Sequence, residues 1–212
     1  MSRRLPVYLV LDCSGSMSGD PIQAVRLGVK ALVADLKNEP YAIETAYLSV
    51  IAFESTARQV CPLTELLVFQ EPNLVAGGAT SLGEALKLLS KCFDEDVNKA
   101  SDTQKGDWKP LVFLMTDGMP TDSWERAADE LKQKKPANII ACAAGANADE
   151  YLLKRITEIV VKLDNLQPDT LKAFFKWVTQ SIKQTSQSVS QVMADDQPVN
   201  LPPPPPQIQI VP

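Results

Sequence analysis

Val7-Tyr8-Leu9-Val10-Leu11, followed at once by Asp12-Cys13-Ser14-Gly15-Ser16, is the stretch that decides the fold. Five β-prone apolar residues in a row, with no polar alternation, describe a strand covered on both faces, as the central strands of parallel sheets are. Working outward, Pro21 to Leu36 carries apolar residues at Ile22, Val25, Leu27, Val29, Leu32, Val33 and Leu36, a helical spacing with Asp20 as the expected N-cap and Pro21 in the first turn. The first unit is therefore a strand followed by a helix.

The pattern then repeats along the chain. Strands are expected at 42–53 and, after the Glu54-Ser55-Thr56 turn, at 57–63 as an antiparallel edge strand. A Pro/Gly-bearing loop at 69–79 leads to a helix from Ser81 to Phe93, with Glu84 in the capping-box position. Leu111 to Met115 is a second buried-type strand. Helix 123–134, strand 138–143, short helix 149–155, strand 159–163 and a helix from 169 to about 186 complete an alternation that means a doubly wound α/β fold. Residues 1–186 form one domain in this reading, and 187–212 form a Ser/Gln-rich then Pro-rich tail with Pro202 to Pro206 in an unbroken run. Phe174, Phe175 and Trp177 read as core packing of the last helix.

Composition excludes much. The 212 residues carry a net charge of −5, which gives no footprint for nucleic acid or an anionic membrane surface. The absence of histidine removes Ser-His-Asp and Cys-His catalysis and histidine-ligated zinc. Cys13, Cys61, Cys92 and Cys142 stand singly, as inert thiols of a reducing compartment do. The N-terminal stretch has neither the apolar core nor the cleavage site of a signal peptide, so a cytoplasmic location is the expectation.

In an open α/β sheet the binding crevice lies beyond the carboxyl ends of the strands. Asp12, Ser14 and Ser16 stand there at alternate positions, Asp117 follows the strand at 111–115, and Thr80 closes the loop that contains Gly77-Gly78. Two carboxylates and three hydroxyls make an all-oxygen set suited to Mg²⁺, or to Mn²⁺ or Ca²⁺, and poorly suited to Zn²⁺ or Cu²⁺. Three neutral ligands leave such an ion electron-poor and open to an outside carboxylate.

These residues, Asp12-x-Ser14-x-Ser16, then Thr80, then Asp117 in Thr116-Asp117-Gly118, resemble the metal-ion-dependent adhesion site of von Willebrand factor A domains. The resemblance spans about Leu5 to Ser186. It implies a mostly parallel, six-stranded sheet with one antiparallel edge strand, and direct ligation by Ser14, Ser16 and Thr80. Asp12 and Asp117 would act largely through water, and an Asp or Glu of a protein partner would complete the shell. A narrower resemblance, to bacterial TerY-type tellurium-resistance proteins and their cytoplasmic relatives, rests on Arg3-Arg4-Leu5-Pro6-Val7-Tyr8, Lys172 to Trp177 and the Pro-rich end. It implies a scaffold in a stress-response system, alongside a protein kinase and a PP2C-type phosphatase.

Two rival readings stand beside this non-enzymatic one. Asp12 at the end of the first strand is also how aspartyl-phosphate phosphohydrolases begin, but a general acid is wanted two residues on and Ser14 is there. The tail is the other: its proline run could dock an aromatic groove, and Ile208 to Val211 could join another protein's sheet edge.

Overall fold

The structure, a computed structural model, describes residues 3–101, 103, 105–191, 199 and 201–212. Seven strands form one sheet in the order β3-β2-β1-β4-β5-β6-β7. β1 (Leu5–Asp12) lies at the centre, parallel to β2 (Ala46–Phe53) and to β4 (Leu111–Thr116). β5 (Asn138–Ala144) and β6 (Ile159–Leu163) continue the parallel run. β3 (Ala57–Glu65) and β7 (Ile208–Ile210) are antiparallel to their neighbours at the two edges.

The continuous apolar runs divide by parity, as side chains on a pleated strand must. Leu5, Val7, Leu9 and Leu11 of β1, with Leu111, Phe113 and Met115 of β4, enter the core beneath α1 (Asp20–Leu36) and α6 (Pro168–Gln191). Tyr8, Val10, Val112 and Leu114 enter the opposite core, beneath α3 (Leu82–Asp96) and α4 (Glu125–Lys134). Burial on both faces is why neither strand alternates. Phe174, Phe175 and Trp177 are 1%, 2% and 2% exposed, so the aromatic cluster of α6 is core. α1 and α6 approach closely because Gly28 has no side chain: a Cβ there would stand 2.2 Å from the Phe175 ring.

Three sequence expectations change. Residues 42–45 belong not to a strand but to α2 (Pro40–Thr45), where Thr45 Oγ1 donates to Tyr41 O at 2.7 Å. β1 begins at Leu5, opposite Ala46, so earlier residues have no parallel neighbour to pair with. Asp20 is not the cap of α1; Gly19, at φ 83, holds that position and Asp20 lies in the first turn. The seventh strand was not expected. Ile208 is 3% exposed and packs in the core under α1 and α6, while Trp177 Nε1 donates to Pro202 O at 2.9 Å. The apolar end of the chain thus extends its own sheet. α6 runs on to Gln191, and residues 192–198 and 200 lie outside the described set. Within that set, no helix is long and apolar enough to cross a membrane. α5 (Glu150–Leu153) is a single turn after β5, with Asp149 accepting from Tyr151 N and Leu152 N.

Candidate metal centre

Parallel pairing places Leu11 opposite Met115, so β1 and β4 deliver Asp12 and Thr116 side by side at the carboxyl edge. Thr116 Oγ1 donates to Asp12 Oδ2 at 2.6 Å, and Ser14 N donates to Asp12 Oδ1 at 2.8 Å. Both oxygens of the Asp12 carboxylate, which is 0% exposed, are thereby fixed. A 3-10 turn at Gly15–Met17 brings Ser16 back over the site. Ser14 Oγ and Ser16 Oγ are 3.0 Å apart, and Ser16 Oγ donates to Asp117 Oδ1 at 2.8 Å. Four of the five residues singled out in the sequence are therefore linked within one hydrogen-bonded group.

Thr80 reaches the same place through its backbone. Thr121 N donates to Thr80 O at 2.9 Å and Thr80 N donates to Thr121 Oγ1 at 3.1 Å. A Cβ on Gly118 would lie 3.6 Å from Thr80 Oγ1, which sets that hydroxyl against the residue after Asp117. Gly77 N to Cys13 O at 2.9 Å and Gly15 N to Gly78 O at 3.1 Å then tie the 76–80 loop to the loop that follows β1. Gly78 has φ +72, and a Cβ there would stand 2.3 Å from Ser55 Oγ, so only glycine lets the chain pass.

Burial grades outward. Asp12, Ser14, Asp117 and Thr80 are buried, whereas Ser16 is exposed and marks the mouth. Burial raises the pKa of Asp117; the Ser16 hydrogen bond opposes this, and the negative charge of Asp12 raises it further. No described Lys or Arg pairs with either carboxylate. Two buried acids facing each other with hydroxyls between them, and no cationic side chain, fit a hard divalent cation. Among the described residues no cluster of three or more His, Cys, Asp or Glu gathers as a metal site, so any ion here leans on hydroxyls.

Several neighbours escape the sequence reading. Thr116 was visible only as part of Thr116-Asp117-Gly118, yet it holds Asp12. Asp122 accepts from Gly83 N and Glu84 N at 2.9 Å each and so caps α3 from another loop. Ser81 makes no side-chain cap to α3; its hydroxyl donates to Ser55 O, and Glu84 Oε2 accepts from Ala57 N rather than closing a capping box. Pairings between distant loops leave no local signature. Cys13 lies between Asp12 and Ser14, and burial, reinforced by Asp12 and Glu54, pushes its thiol up to about 12, so it stays protonated.

Comparison with known proteins places these features. An uncharacterized protein of Synechocystis is 34% identical over 123 residues, covering 55% of this chain and 26% of its own length. The von Willebrand factor type A structure from Catenulispora acidiphila superposes with a TM-score of 0.63 at 22% identity, over 86% of this chain and 43% of that one. Proximal thread matrix protein 1 from the mussel byssus, solved with a zinc-occupied MIDAS motif, gives 0.61 at 20% identity, over 84% of this chain and 48% of that one. The chain thus spans about a quarter of its curated relative and less than half of these structures. The sequence pattern of the von Willebrand factor type A domain matches residues 7–175, and the chain belongs to that family.

Proposed function

We infer that this chain is a non-enzymatic, metal-dependent protein-interaction module. Asp12, Ser14, Ser16, Thr80 and Asp117 hold Mg²⁺, and an Asp or Glu of a protein partner completes its shell. One observation carries the reading: two buried carboxylates with no cationic partner, bridged by hydroxyls, open to solvent at Ser16. When bound, the ion supplies an open coordination position for an anionic ligand. The protein's part is to hold the site in shape. Thr116 fixes the Asp12 carboxylate, the 3-10 turn presents Ser16, and Thr121 clamps Thr80.

Nothing beside Asp12 supports phosphoryl transfer. Ser14 stands where a general acid would be needed, and its hydroxyl is engaged with Ser16. Burial of Ile208 against the chain's own sheet weighs against the tail as the partner-binding element. The narrower resemblance adds a setting: a cytoplasmic scaffold in a bacterial stress response of the tellurium-resistance type, serving a protein kinase and a PP2C-type phosphatase.

Affinity capture from native extract tests the core claim, with the wild-type chain and Asp12→Ala, each in Mg²⁺ and in EDTA. A partner retained only by wild type in Mg²⁺ supports metal-bridged capture. Equal retention in all four conditions refutes it.

A further inference from the structure

Positive charge gathers at the other end of the sheet, where β1 and β4 begin. A cavity of ≈ 490 Å³ opens there, lined by Arg3, Lys99, Lys105, Lys109 and Lys135, with Asp107 as the one acid among its described lining residues. That volume lies within the ~300–1,000 Å³ of ligand-binding clefts. In a chain of net charge −5 the grouping runs against the composition. β1 spans eight residues, so at about 3.3 Å per residue the cavity lies ~23 Å from the Asp12 end of the strand.

The frame of the cavity is fixed by named contacts. Arg3 Nε donates to Gly106 O at 2.7 Å, and its guanidinium lies 3.7 Å from the centre of the Trp108 ring. Asp107 is already matched: Arg4 Nε donates to its Oδ1 at 2.9 Å and Asn98 N to its Oδ2 at 2.8 Å. A Cβ on Gly106 would stand 2.6 Å from Ala100 N, so the backbone at 106 packs directly on that of 98–100. On the other side Leu111 stands opposite Asn138, and Asn138 N donates to Pro110 O at 2.8 Å, a register that sets Lys109 beside the turn carrying Lys135.

Lys99 pairs with Asp94 at 3.2 Å. Among the described residues Lys105, Lys109 and Lys135 form no ion pair, although Lys109 is half-buried. Glu158, whose carboxylate feels the charge of Lys135, is held by Lys132 at 2.9 Å. Lys135 also stands at φ 47 directly after α4, the one described residue other than glycine in the left-handed region. Glycine would end the helix there without strain. Lysine gives up that stability and places an ammonium on the cavity.

We propose that this cavity binds the phosphate chain of a di- or triphosphate, free or carried by a nucleotide. Ammonium groups act as point charges on phosphate oxygens and need no bidentate geometry. A phosphate chain carries negative charge on each successive group, which suits Lys109 and Lys135 side by side with Lys105 across the same cavity. An acidic peptide spaces its carboxylates ~7 Å apart along one face of an extended chain and matches such close cations less well. The site stands apart from Asp12 and needs no metal.

Titration calorimetry of the full chain with inorganic triphosphate and with ATP, both in EDTA, tests this. Saturable one-to-one binding is expected, within twofold of wild type in Asp12→Ala. Lys109→Gln and Lys135→Gly should each bind at least fivefold more weakly, while Lys30→Gln, the same loss of charge on α1, stays within twofold. Lys135→Gly should also raise the urea midpoint, which separates lost charge from lost fold. ATP binding more tightly than triphosphate supports a nucleotide as the source, and equal or weaker binding supports the free chain. The proposal is overturned if neither probe binds saturably, if Lys109→Gln and Lys135→Gly both bind within twofold of wild type, or if Lys30→Gln weakens binding as much as they do. It is equally overturned if binding needs Asp12, or if RNA or anionic vesicles bind through Lys109 and Lys135 while triphosphate does not.

Discussion

Thr116→Val removes one hydroxyl and almost no volume, and it isolates the support beneath the metal site. Thr116 is 2% exposed and donates to Asp12 Oδ2 at 2.6 Å, while Asp12 itself is 0% exposed. Water cannot replace the lost donor without opening the β1–β4 edge. A hydrogen bond to a charged group contributes about 1.5–3 kcal/mol net, and stranding its buried acceptor puts the loss at the upper part of that range. For a domain of this size, about 2–4 °C per kcal/mol converts this to a fall of about 3–12 °C in Tm. Loosening a ligand's supporting partner also lowers metal affinity, by about 10–100-fold in comparable sites. Thermal melts in EDTA read the first effect, and Mn²⁺ titration calorimetry reads the second. Thr116→Ser keeps the hydroxyl and should recover most of both. If Thr116→Val melts within 1 °C of wild type and binds Mn²⁺ equally well, Asp12 does not depend on Thr116 and the account of the site is wrong.

Two further outcomes follow from packing and protonation. Gly28→Ala, favourable by helix propensity by about 1 kcal/mol, should nonetheless destabilise by about 1–2 kcal/mol, because the added methyl falls 2.2 Å from the Phe175 ring. Phe175→Leu in the same chain should relieve part of that cost in urea melts, and an unchanged or raised midpoint for Gly28→Ala alone would contradict the close approach. Burial, helped by Asp96 and Glu95, pushes the Cys92 thiol up to about 11, and burial also raises Cys142. The unfolded chain then loses these protons first, so stability is full below the ordinary thiol pKa and falls as pH rises towards 11. A urea midpoint that stays flat from pH 8 to 11, or that falls as steeply in Cys92→Ala, would count against this.

The central strands were legible because β1 and β4 are buried on both faces, and that condition writes an uninterrupted apolar run into the sequence. The five candidate residues drew notice because they stand in loops at the ends of elements, where loop chemistry is local. What could not be read depends on partners distant in sequence. Residues 42–45 have strand-like composition, but whether they pair is decided by where β1 starts. Asp122 has the look of a local cap and serves α3, 39 residues away from Gly83. β7 hides behind five prolines, and its three residues become a strand only because β6 offers an unpaired edge and Trp177 offers a donor for Pro202. Thr116 carried no signal beyond its place beside Asp117.

The pairing of β7 with β6 also sets an order of events during synthesis. Forty-five residues separate Asp164 from its hydrogen-bond partner Gln209, and the ribosome adds them in ~2–9 s at about 5–20 residues per second. Throughout that interval Val160 and Val161 stand on the rim of an otherwise assembled sheet, with an apolar edge open to any neighbouring nascent chain. β7 is the strand that closes it, so stalling or premature termination near the proline run would release a domain whose β6 edge is unpaired and adhesive.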